Sequence, residues 1–331
     1  MTSPRIAVLI PCRDEAVAIA GVVAGFRAAL PGAAIHVYDN ASSDGTAAVA
    51  AAAGAIVRTE PQRGKGNVVR RMFADVEADA YLLVDGDGTY DPGDAPEMAR
   101  RLLEEQLDMV TGVRVTDAAA AAAYRAGHKL GNRAITGAVA FLFGNRVSDM
   151  LSGYRCFSRR FVKSFPGLAA GFETETEFTV HALELRLPVA ELRTTYRERP
   201  AGSESKLRTY RDGWRILRLV LALVQRERPR LFFGVAAAGF LLLSGALFAP
   251  VLDTYLRTGL VPRLPTFLAS VAALVLSFLS VACGLILDTV TRGRIEAKRI
   301  AYLALPSYGA PVAGGRAGPM PPSAADRGAT P

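Results

Sequence analysis

Two aspartates with one glycine between them follow an apolar run in the N-terminal third of the chain. Residues 83–88 read LVDGDG, so the carboxylates of Asp85 and Asp87 come directly after that run. Carboxylate oxygens are the hard ligands that Mg²⁺ and Mn²⁺ prefer, and such ions are often shared with the phosphates of a substrate. The same residue types also form tight turns. The pair therefore predicts either a metal–diphosphate site or a simple turn, and its position in the fold decides between them.

The elements around this pair place it at the edge of a predicted sheet. Strands are predicted at 5–11, 34–40, 55–59 and 81–85, with helices at 15–30, 44–53 and 64–77 between them. Strands that alternate with helices form a mostly parallel sheet, and ligands bind beyond the carboxyl ends of its strands. Acidic residues follow three of these strands, at Glu15, Asp39 and Asp85. We therefore expect an α/β, Rossmann-like fold with a site at this edge, which favours the metal interpretation.

The composition excludes several classes of protein. Half of the 331 residues are hydrophobic, which is incompatible with a wholly disordered chain. Three widely spaced cysteines without a CxxC pattern predict neither a disulfide framework nor a zinc site. The net charge is +8, but residues 206–230 contribute +6 and residues 291–299 contribute +3. A nucleic-acid-binding domain spreads its basic residues over the folded part, so no nucleic-acid partner is expected.

Two long uncharged segments predict membrane-spanning helices. Residues 231–252 and 264–287 contain no charged side chain over 22 and 24 positions, and about 20 apolar residues are enough to cross the hydrocarbon layer. A pair of buried core helices is the alternative, but core helices are rarely so long without a charge. The outer flanks carry more Lys and Arg than the connecting loop, which predicts cytoplasmic flanks. We expect a multi-pass protein of the inner, cytoplasmic membrane with its large N-terminal domain in the cytoplasm.

The segment before the first span predicts a basic amphipathic helix. Apolar residues recur at three- and four-residue steps through 207–225, and arginines occupy the other face. Such a helix lies in the headgroup layer, although an ordinary helix packed on the domain shows the same pattern. The predicted divisions are a catalytic domain at 1–205, the basic helix at 206–230, spans at 231–252 and 264–288, and a disordered Pro/Gly/Ala-rich tail at 306–331.

Six motifs in the same order resemble those of a known family. They are IPCRDE at 10–15, YDNASSDGT at 38–46, RGKG at 63–66, DGD at 85–87, DMLSGYR at 149–155 and RPAGSESK at 199–206. The first four resemble the family 2 inverting glycosyltransferases with the GT-A fold. The last two resemble the polyprenyl-phosphate branch typified by dolichyl-phosphate mannose synthases. The resemblance covers roughly residues 5–210, and two spans after the domain suit the membrane-bound members.

The resemblance implies a role for each matching residue. The residues that it implies for donor binding are Pro11, Glu15, Asp39, Arg63, Lys65 and Asp85, and those for metal binding are Asp85 and Asp87. The residues implied for binding the acceptor phosphate are Arg155, Arg199, Ser205 and Lys206, and Glu177 would line the acceptor side. The implied catalytic residues are Asp87, Asp149 and Arg155. One departure is Arg13-Asp14, where the family commonly has a small or aromatic residue and Asn, so the nucleotide base is left open.

These roles agree with the chemistry of sugar transfer. A departing nucleoside diphosphate gains negative charge, which Mg²⁺ or Mn²⁺ stabilises. A lipid phosphate needs arginine and lysine donors but little general base, because its second pKa is about 6. Asp149 is therefore expected to orient the acceptor or an arginine rather than to remove a proton.

The sequence thus predicts a hexosyltransferase that uses a UDP- or GDP-sugar and a polyprenyl phosphate. The same residues leave two alternatives open. One is a membrane glycosyltransferase with a hydroxyl acceptor on a glycan or lipid. The other is a non-catalytic nucleotide-sugar-binding scaffold in the membrane. Assembly of identical chains through the two spans is compatible with each of these functions.

Overall fold

The computed structural model describes residues 3–115, 137, 148–169, 173–197 and 221–308. In these residues one seven-stranded sheet has the order β3-β2-β1-β4-β6-β5-β7. The strands are β1 (Ile6–Cys12), β2 (Ala34–Asp39), β3 (Ile56–Thr59), β4 (Ala80–Leu83), β5 (Met109–Val115), β6 (Arg155–Ser158) and β7 (Val189–Thr195). Only β6 runs antiparallel to its neighbours in this sheet, so the mostly parallel α/β fold expected from the sequence is confirmed.

Six α-helices among the described residues of the domain cover the two faces of the sheet. They are α1 (Ala16–Ala29), α2 (Thr46–Ala52), α3 (Lys65–Asp75), α4 (Ala95–Glu104), α5 (Arg159–Ser164) and α6 (Thr174–Leu185). Ile19, Val23 and Phe26 of α1 recur at three- and four-residue steps and are buried in the core on one face. On the other face, Met72 of α3 and Phe178 of α6 belong to a second buried cluster.

The register of the central strands brings the site loops to one edge. β1 is flanked by β2 and β4, with Cys12 opposite Asp39 and Leu9 opposite Leu83. Because the three strands are parallel, the residues that follow them emerge at the same edge of the sheet. The acidic residues predicted at the strand ends therefore belong to adjacent loops.

Two long helices follow the domain, α7 (Pro229–Thr258) and α8 (Leu264–Leu303). Both are long and apolar enough to cross a membrane, and their most apolar windows are 11% and 22% buried. They pack against each other through small side chains, since the Ser277 hydroxyl donates to the Ala237 carbonyl at 2.9 Å and the Ser244 hydroxyl to the Ser270 carbonyl at 2.8 Å. The predicted spans lie inside these helices.

The helical segments extend beyond the predicted spans. α8 continues to Leu303, past the predicted end at residue 288, because 289–303 contain no helix-breaking proline and make contacts with the domain. Of the predicted basic helix, residues 221–227 are helical and 206–220 lie outside the described residues. The predicted tail is described only through residue 308.

Candidate active site

Hydrogen bonds join the loops that follow β1 and β2. The Asp14 amide donates to the Ser42 hydroxyl at 2.9 Å, and the Ser43 amide donates to the Asp14 carboxylate at 2.9 Å. The Glu15 amide donates to the Thr46 hydroxyl at 2.9 Å. Asp14 has a φ of 52°, a left-handed conformation that Asp tolerates better than most residues. The departure from the family at residue 14 therefore serves the connection between the two loops.

Asp39 presents a buried carboxylate oxygen at this edge. The residue is 5% exposed, and its Oδ2 accepts a hydrogen bond from the Ser42 amide at 3.1 Å. Its Oδ1 is buried and has no hydrogen-bond partner among the described residues. A buried acceptor without a donor is unusual, so this oxygen is suited to an N–H or O–H group of a ligand. The resemblance assigns this position to the nucleotide.

Asn40 holds the loop that leads to the next basic residue. Its amide nitrogen donates to the carbonyls of Glu60 and Gln62 at 2.9 and 2.8 Å. Its amide oxygen accepts from the Gly64 amide at 2.7 Å. Gly64 has a φ of 128°, which a side chain would disfavour. This buried amide therefore determines where α3 begins and where Lys65 lies.

Lys65 bridges two carboxylates. Its ammonium group pairs with Asp85 Oδ1 and with Glu175 Oε1, the latter at 2.5 Å. The side chains of Lys65 and Glu175 are 10% and 6% exposed, whereas that of Asp85 is 31% exposed. Burial lowers the pKa of Lys65, but the two carboxylates outweigh it and leave this pKa raised. Burial raises the pKa of Glu175.

Glu175 is a site residue that the sequence analysis did not identify. It assigned Glu177 instead, two positions further along α6. The Glu177 carboxylate accepts from the amides of Leu168 and Ala169 at 3.0 and 2.9 Å, so it holds a loop in this structure. That loop packs closely on α3, because the Ala169 carbonyl lies where a Cβ on Gly66 would be placed. Residues two apart on a helix face different directions, and spacing alone did not indicate which glutamate faces the site.

The DGD turn packs against the downstream motif. The Asp85 carboxylate lies where a Cβ on Gly153 would be placed, so only glycine fits there without a shift. The Gly153 amide also donates to the Tyr90 hydroxyl at 2.9 Å. Asp87 is buried, and its Oδ1 accepts from the amide and the hydroxyl of Thr89 at 3.2 and 2.7 Å. The motif at 149–155 thus reaches the aspartate pair, 62 residues or more away in sequence.

Asp149 forms a two-pronged ion pair with Arg114. The arginine Nε and Nη2 donate to the two carboxylate oxygens at 2.8 and 2.9 Å, and the Leu151 amide adds a bond at 3.2 Å. Burial raises the pKa of Asp149, but Arg114 more than offsets this and leaves the pKa lowered. A carboxylate held in this way orients Arg114, whereas the predicted role of Asp149, to orient the acceptor or an arginine during the reaction, stays a prediction. Arg114 itself was not predicted.

Arg155 occupies the interior instead of the acceptor surface. Its side chain is completely buried and donates to the carbonyls of Ser152 and Met150 at 3.0 and 2.7 Å and to the Thr179 hydroxyl at 2.9 Å. Burial lowers the pKa of this guanidinium to about 10. Each of these contacts is internal, so this structure argues against the predicted contact of Arg155 with a lipid phosphate. Arg155 holds the turn that carries Gly153.

The other predicted residues fall into two groups. Pro11 is half-buried at the end of β1, Glu15 precedes α1, and Arg63 is exposed in the loop before Lys65. Arg199, Ser205 and Lys206 lie outside the described residues.

The carboxylates fit a divalent cation that is shared with a substrate. No cluster of three or more His, Cys, Asp or Glu suited to a metal occurs in the part of the chain that the structure describes. Mg²⁺ is commonly held by one or two carboxylates, with substrate phosphates and water as its other ligands. The carboxylates of Asp85 and Asp87 meet that requirement, because they are hard oxygen donors separated by a single residue. The donor set therefore fits Mg²⁺ or Mn²⁺ bound together with a diphosphate.

The fold and the position of this site define a class of protein. The structure is similar to glucosyl-3-phosphoglycerate synthase from Mycobacterium tuberculosis, with a TM-score of 0.55 and 22% identity over 68% of this chain and 81% of that one. Another structure of that synthase, in complex with Mn²⁺, UDP and glucosyl-3-phosphoglycerate, has a TM-score of 0.52. The domain therefore has the GT-A fold.

Comparison of sequences identifies the family within this class. Residues 7–165 match Glycosyl transferase family 2, and the chain belongs to that family. It is 36% identical to glycosyltransferase AglJ of Haloferax volcanii over 234 residues, which cover 70% of this chain and 76% of AglJ. It is 55% identical to protein RfbJ of Shigella flexneri over 125 residues, which cover 38% of this chain and 96% of RfbJ.

Proposed function

We propose that this protein is a membrane-anchored, metal-dependent hexosyltransferase that uses a nucleoside-diphosphate sugar and the phosphate of a polyprenyl lipid. The observation that carries the proposal is the aspartate pair at the carboxyl edge of the sheet, in a chain that continues into two long apolar helices. The pair suits a sugar diphosphate, and the helices suit an acceptor that resides in the bilayer.

The donor side rests on Asp85, Asp87, Lys65 and Asp39. A divalent ion bound by the two aspartates would stabilise the charge that develops on the leaving diphosphate. Lys65 pairs with Asp85 and so adds a positive charge beside the aspartate that would face the diphosphate. Asp39 Oδ1, which has no hydrogen-bond partner among the described residues, would accept a hydrogen bond from the base or ribose. The synthase from M. tuberculosis that was solved with Mn²⁺ and UDP supports this class of donor.

The acceptor side is consistent with a phosphate nucleophile. A phosphate monoester is largely deprotonated near neutral pH, so it attacks the anomeric carbon with little help from a base. Attack from the face opposite to the leaving diphosphate inverts that carbon. Asp149 is bound by Arg114 on both oxygens and has a lowered pKa, which makes it a weak proton acceptor. The guanidinium that it orients, that of Arg114, is 15% exposed and adds positive charge beside this motif.

A hydroxyl acceptor is the second candidate, and Glu175 favours it. Its carboxylate has a raised pKa, and its Oε2 has no hydrogen-bond partner among the described residues. Such a group suits a general base. If the acceptor is a hydroxyl, Glu175→Gln lowers kcat by about 100-fold or more and removes the acid limb of the pH profile. With a phosphate acceptor the acid limb stays.

The membrane assignment rests on α7 and α8. Their apolar windows are mostly exposed in the monomer, and a bilayer would cover them. The basic flanks support the proposal that the catalytic domain lies on the cytoplasmic side of the inner membrane.

The direct test uses the purified full chain in detergent. It is supplied with Mn²⁺, radiolabelled UDP- or GDP-hexoses and polyprenyl phosphate, and label that becomes soluble in organic solvent is counted. We expect lipid-linked product that disappears with EDTA. Asp87→Asn is expected to abolish it, whereas Asp79→Asn, at the opposite end of β4, keeps it. Donor binding without turnover over phosphate and hydroxyl acceptors would refute the enzyme and favour the scaffold.

A further inference from the structure

The second long helix does not end at the boundary of its apolar run. α8 continues to Leu303, and residues 288–303 read DTVTRGRIEAKRIAYL. We call these residues the α8 extension. Along its length it contacts the glycosyltransferase domain, in particular α5, α6 and the loop before β5. A span that only anchored the chain would need none of these contacts.

A buried ion network forms the first contact. Lys298 pairs with Glu184 of α6 at 2.5 Å, and the side chains are 11% and 0% exposed. Arg294 pairs with Glu184 at 3.3 Å and with Glu227 at 2.8 Å. Charges buried in this way are stable only with their partners, so the network specifies one relative position of α6 and the α8 extension.

A second contact lies about one turn beyond Lys298. The Tyr302 hydroxyl donates to Asp108 at 2.8 Å, and the Arg160 guanidinium lies 5.2 Å from the Tyr302 ring centroid. Arg160 also donates to the Leu305 carbonyl at 2.9 Å. Ile295 and Tyr302 pack on the hydrophobic cluster beneath α3 and α6. Two contacts on one helix define both the distance and the rotation of the domain.

The membrane side of the α8 extension is held as well. Arg230 at the start of α7 pairs with Asp288 at 2.9 Å, and the Thr291 hydroxyl donates to the Arg226 carbonyl at 3.1 Å. Lys298 lies 11 positions after Leu287, which at a rise of 1.5 Å per residue corresponds to about 16 Å along the helix axis. The helix therefore sets a defined height between the apolar boundary and the domain.

One helix connects this contact with the donor site. Glu184 lies in the last turn of α6, and Glu175 in its first turn pairs with Lys65 beside Asp85. We propose that the α8 extension, through Lys298 and Glu184, positions the active site at the height and orientation at which it meets a phosphate on a membrane lipid. This role rests on the proposed lipid acceptor. Lys298 is a positioning residue, because its contacts are with the domain and not with the substrates.

The test compares two neighbouring cations on the same helix. Lys298→Met removes the pair with Glu184, and Arg299→Met changes an exposed residue that forms no ion pair or hydrogen bond within the described residues. Each variant is assayed in proteoliposomes with long-chain polyprenyl phosphate and in solution with a short-chain, water-soluble isoprenyl phosphate. Lys298→Met is expected to lower kcat/KM for the embedded acceptor about tenfold or more and to change the soluble reaction less than about twofold.

Two further variants separate positioning from folding. Lys298→Arg keeps the charge and should restore the embedded reaction. The double variant Glu184→Gln/Lys298→Met removes both charges of the pair and should show the same split between acceptors. Equal loss on both acceptors, or no loss on either, overturns the positioning role. Failure of the wild-type protein to use either acceptor instead overturns the proposed function, so the two failures are distinct.

Discussion

Replacement of Lys65 by methionine tests the charge arrangement of the site most directly. In the native protein, the ammonium group forms ion pairs with both Asp85 and Glu175. Methionine has a similar length but no charge, so both carboxylates lose their partner. The Asp85 side chain is 31% exposed and can be hydrated, whereas the Glu175 side chain is 6% exposed and cannot. The cost of the substitution therefore falls mainly on Glu175.

The magnitude follows from that burial. Removal of one partner from a buried ion pair costs about 3–5 kcal/mol of unfolding free energy. Glu175 can take up a proton instead of remaining charged, because burial already raises its pKa, so we expect the lower end, about 3 kcal/mol. For a domain of this size that corresponds to a fall in Tm of about 6–12 °C. The deficit should shrink as the pH falls, since a carboxyl with a raised pKa is neutralised first.

Thermal unfolding in detergent can be followed with a thiol-reactive dye. Cys12 and Cys156 are buried and become accessible on unfolding, whereas Cys283 is exposed and is replaced by serine in every protein compared. Arg63→Met, at an exposed position in the loop just before α3, is the matched control and should melt like the wild type. The double variant Lys65→Met/Glu175→Gln should recover most of the loss, because it no longer leaves a buried charge. A single variant that melts within about 2 °C of the wild type would refute this reasoning, as would a double variant no more stable than the single one.

Three further predictions concern other parts of the site and the core. Gly153→Ala should lower metal-dependent turnover about tenfold, because the added Cβ would displace the Asp85 carboxylate. Gly32→Ala, whose Cβ would have no atom within 4 Å, should not change turnover. Equal rates for both variants would contradict the packing of Gly153 on Asp85. Asp149→Asn should lower kcat less than about tenfold and leave the pH profile unchanged; a lost acid limb would identify it as a base. Burial, with a smaller effect of the nearby lysine, lowers the pKa of His181 to about 3. Below pH 6.5 only the unfolded chain binds that proton, so stability should fall by about 1.4 kcal/mol per pH unit, and His181→Gln should flatten this slope in acid melts.

The sequence indicated those features that depend on local pattern. Asp85, Asp87 and Asp39 follow short apolar runs, and parallel strands bring their carboxyl ends to one edge. The length and apolar composition of the two uncharged segments are enough to predict two long apolar helices. Both the mixed α/β fold and the two apolar helices were confirmed.

The direction of individual side chains could not be predicted in the same way. Arg155 lies in a motif that suggested a phosphate contact, yet it is completely buried and bonds internal carbonyls. Arg155 is buried because β6 lies between β4 and β5 in the sheet. No pattern in the neighbouring sequence predicts this pairing of strands. The choice of Glu175 over Glu177 depends on the rotation of α6 about its axis. That rotation is set by packing of Phe178 and not by the spacing of the glutamates.

The sequence by itself determined the class of fold, the edge at which the site forms and the presence of two apolar helices, because strand periodicity, strand-end acids and uncharged length are properties of short segments. Only the tertiary structure decided that Lys65 bridges Asp85 and Glu175, that Arg114 holds Asp149, and that Lys298 binds Glu184. These pairs join residues 20 to 114 positions apart. Their energies arise from burial, which exists only after the sheet, its helices and the α8 extension have packed together.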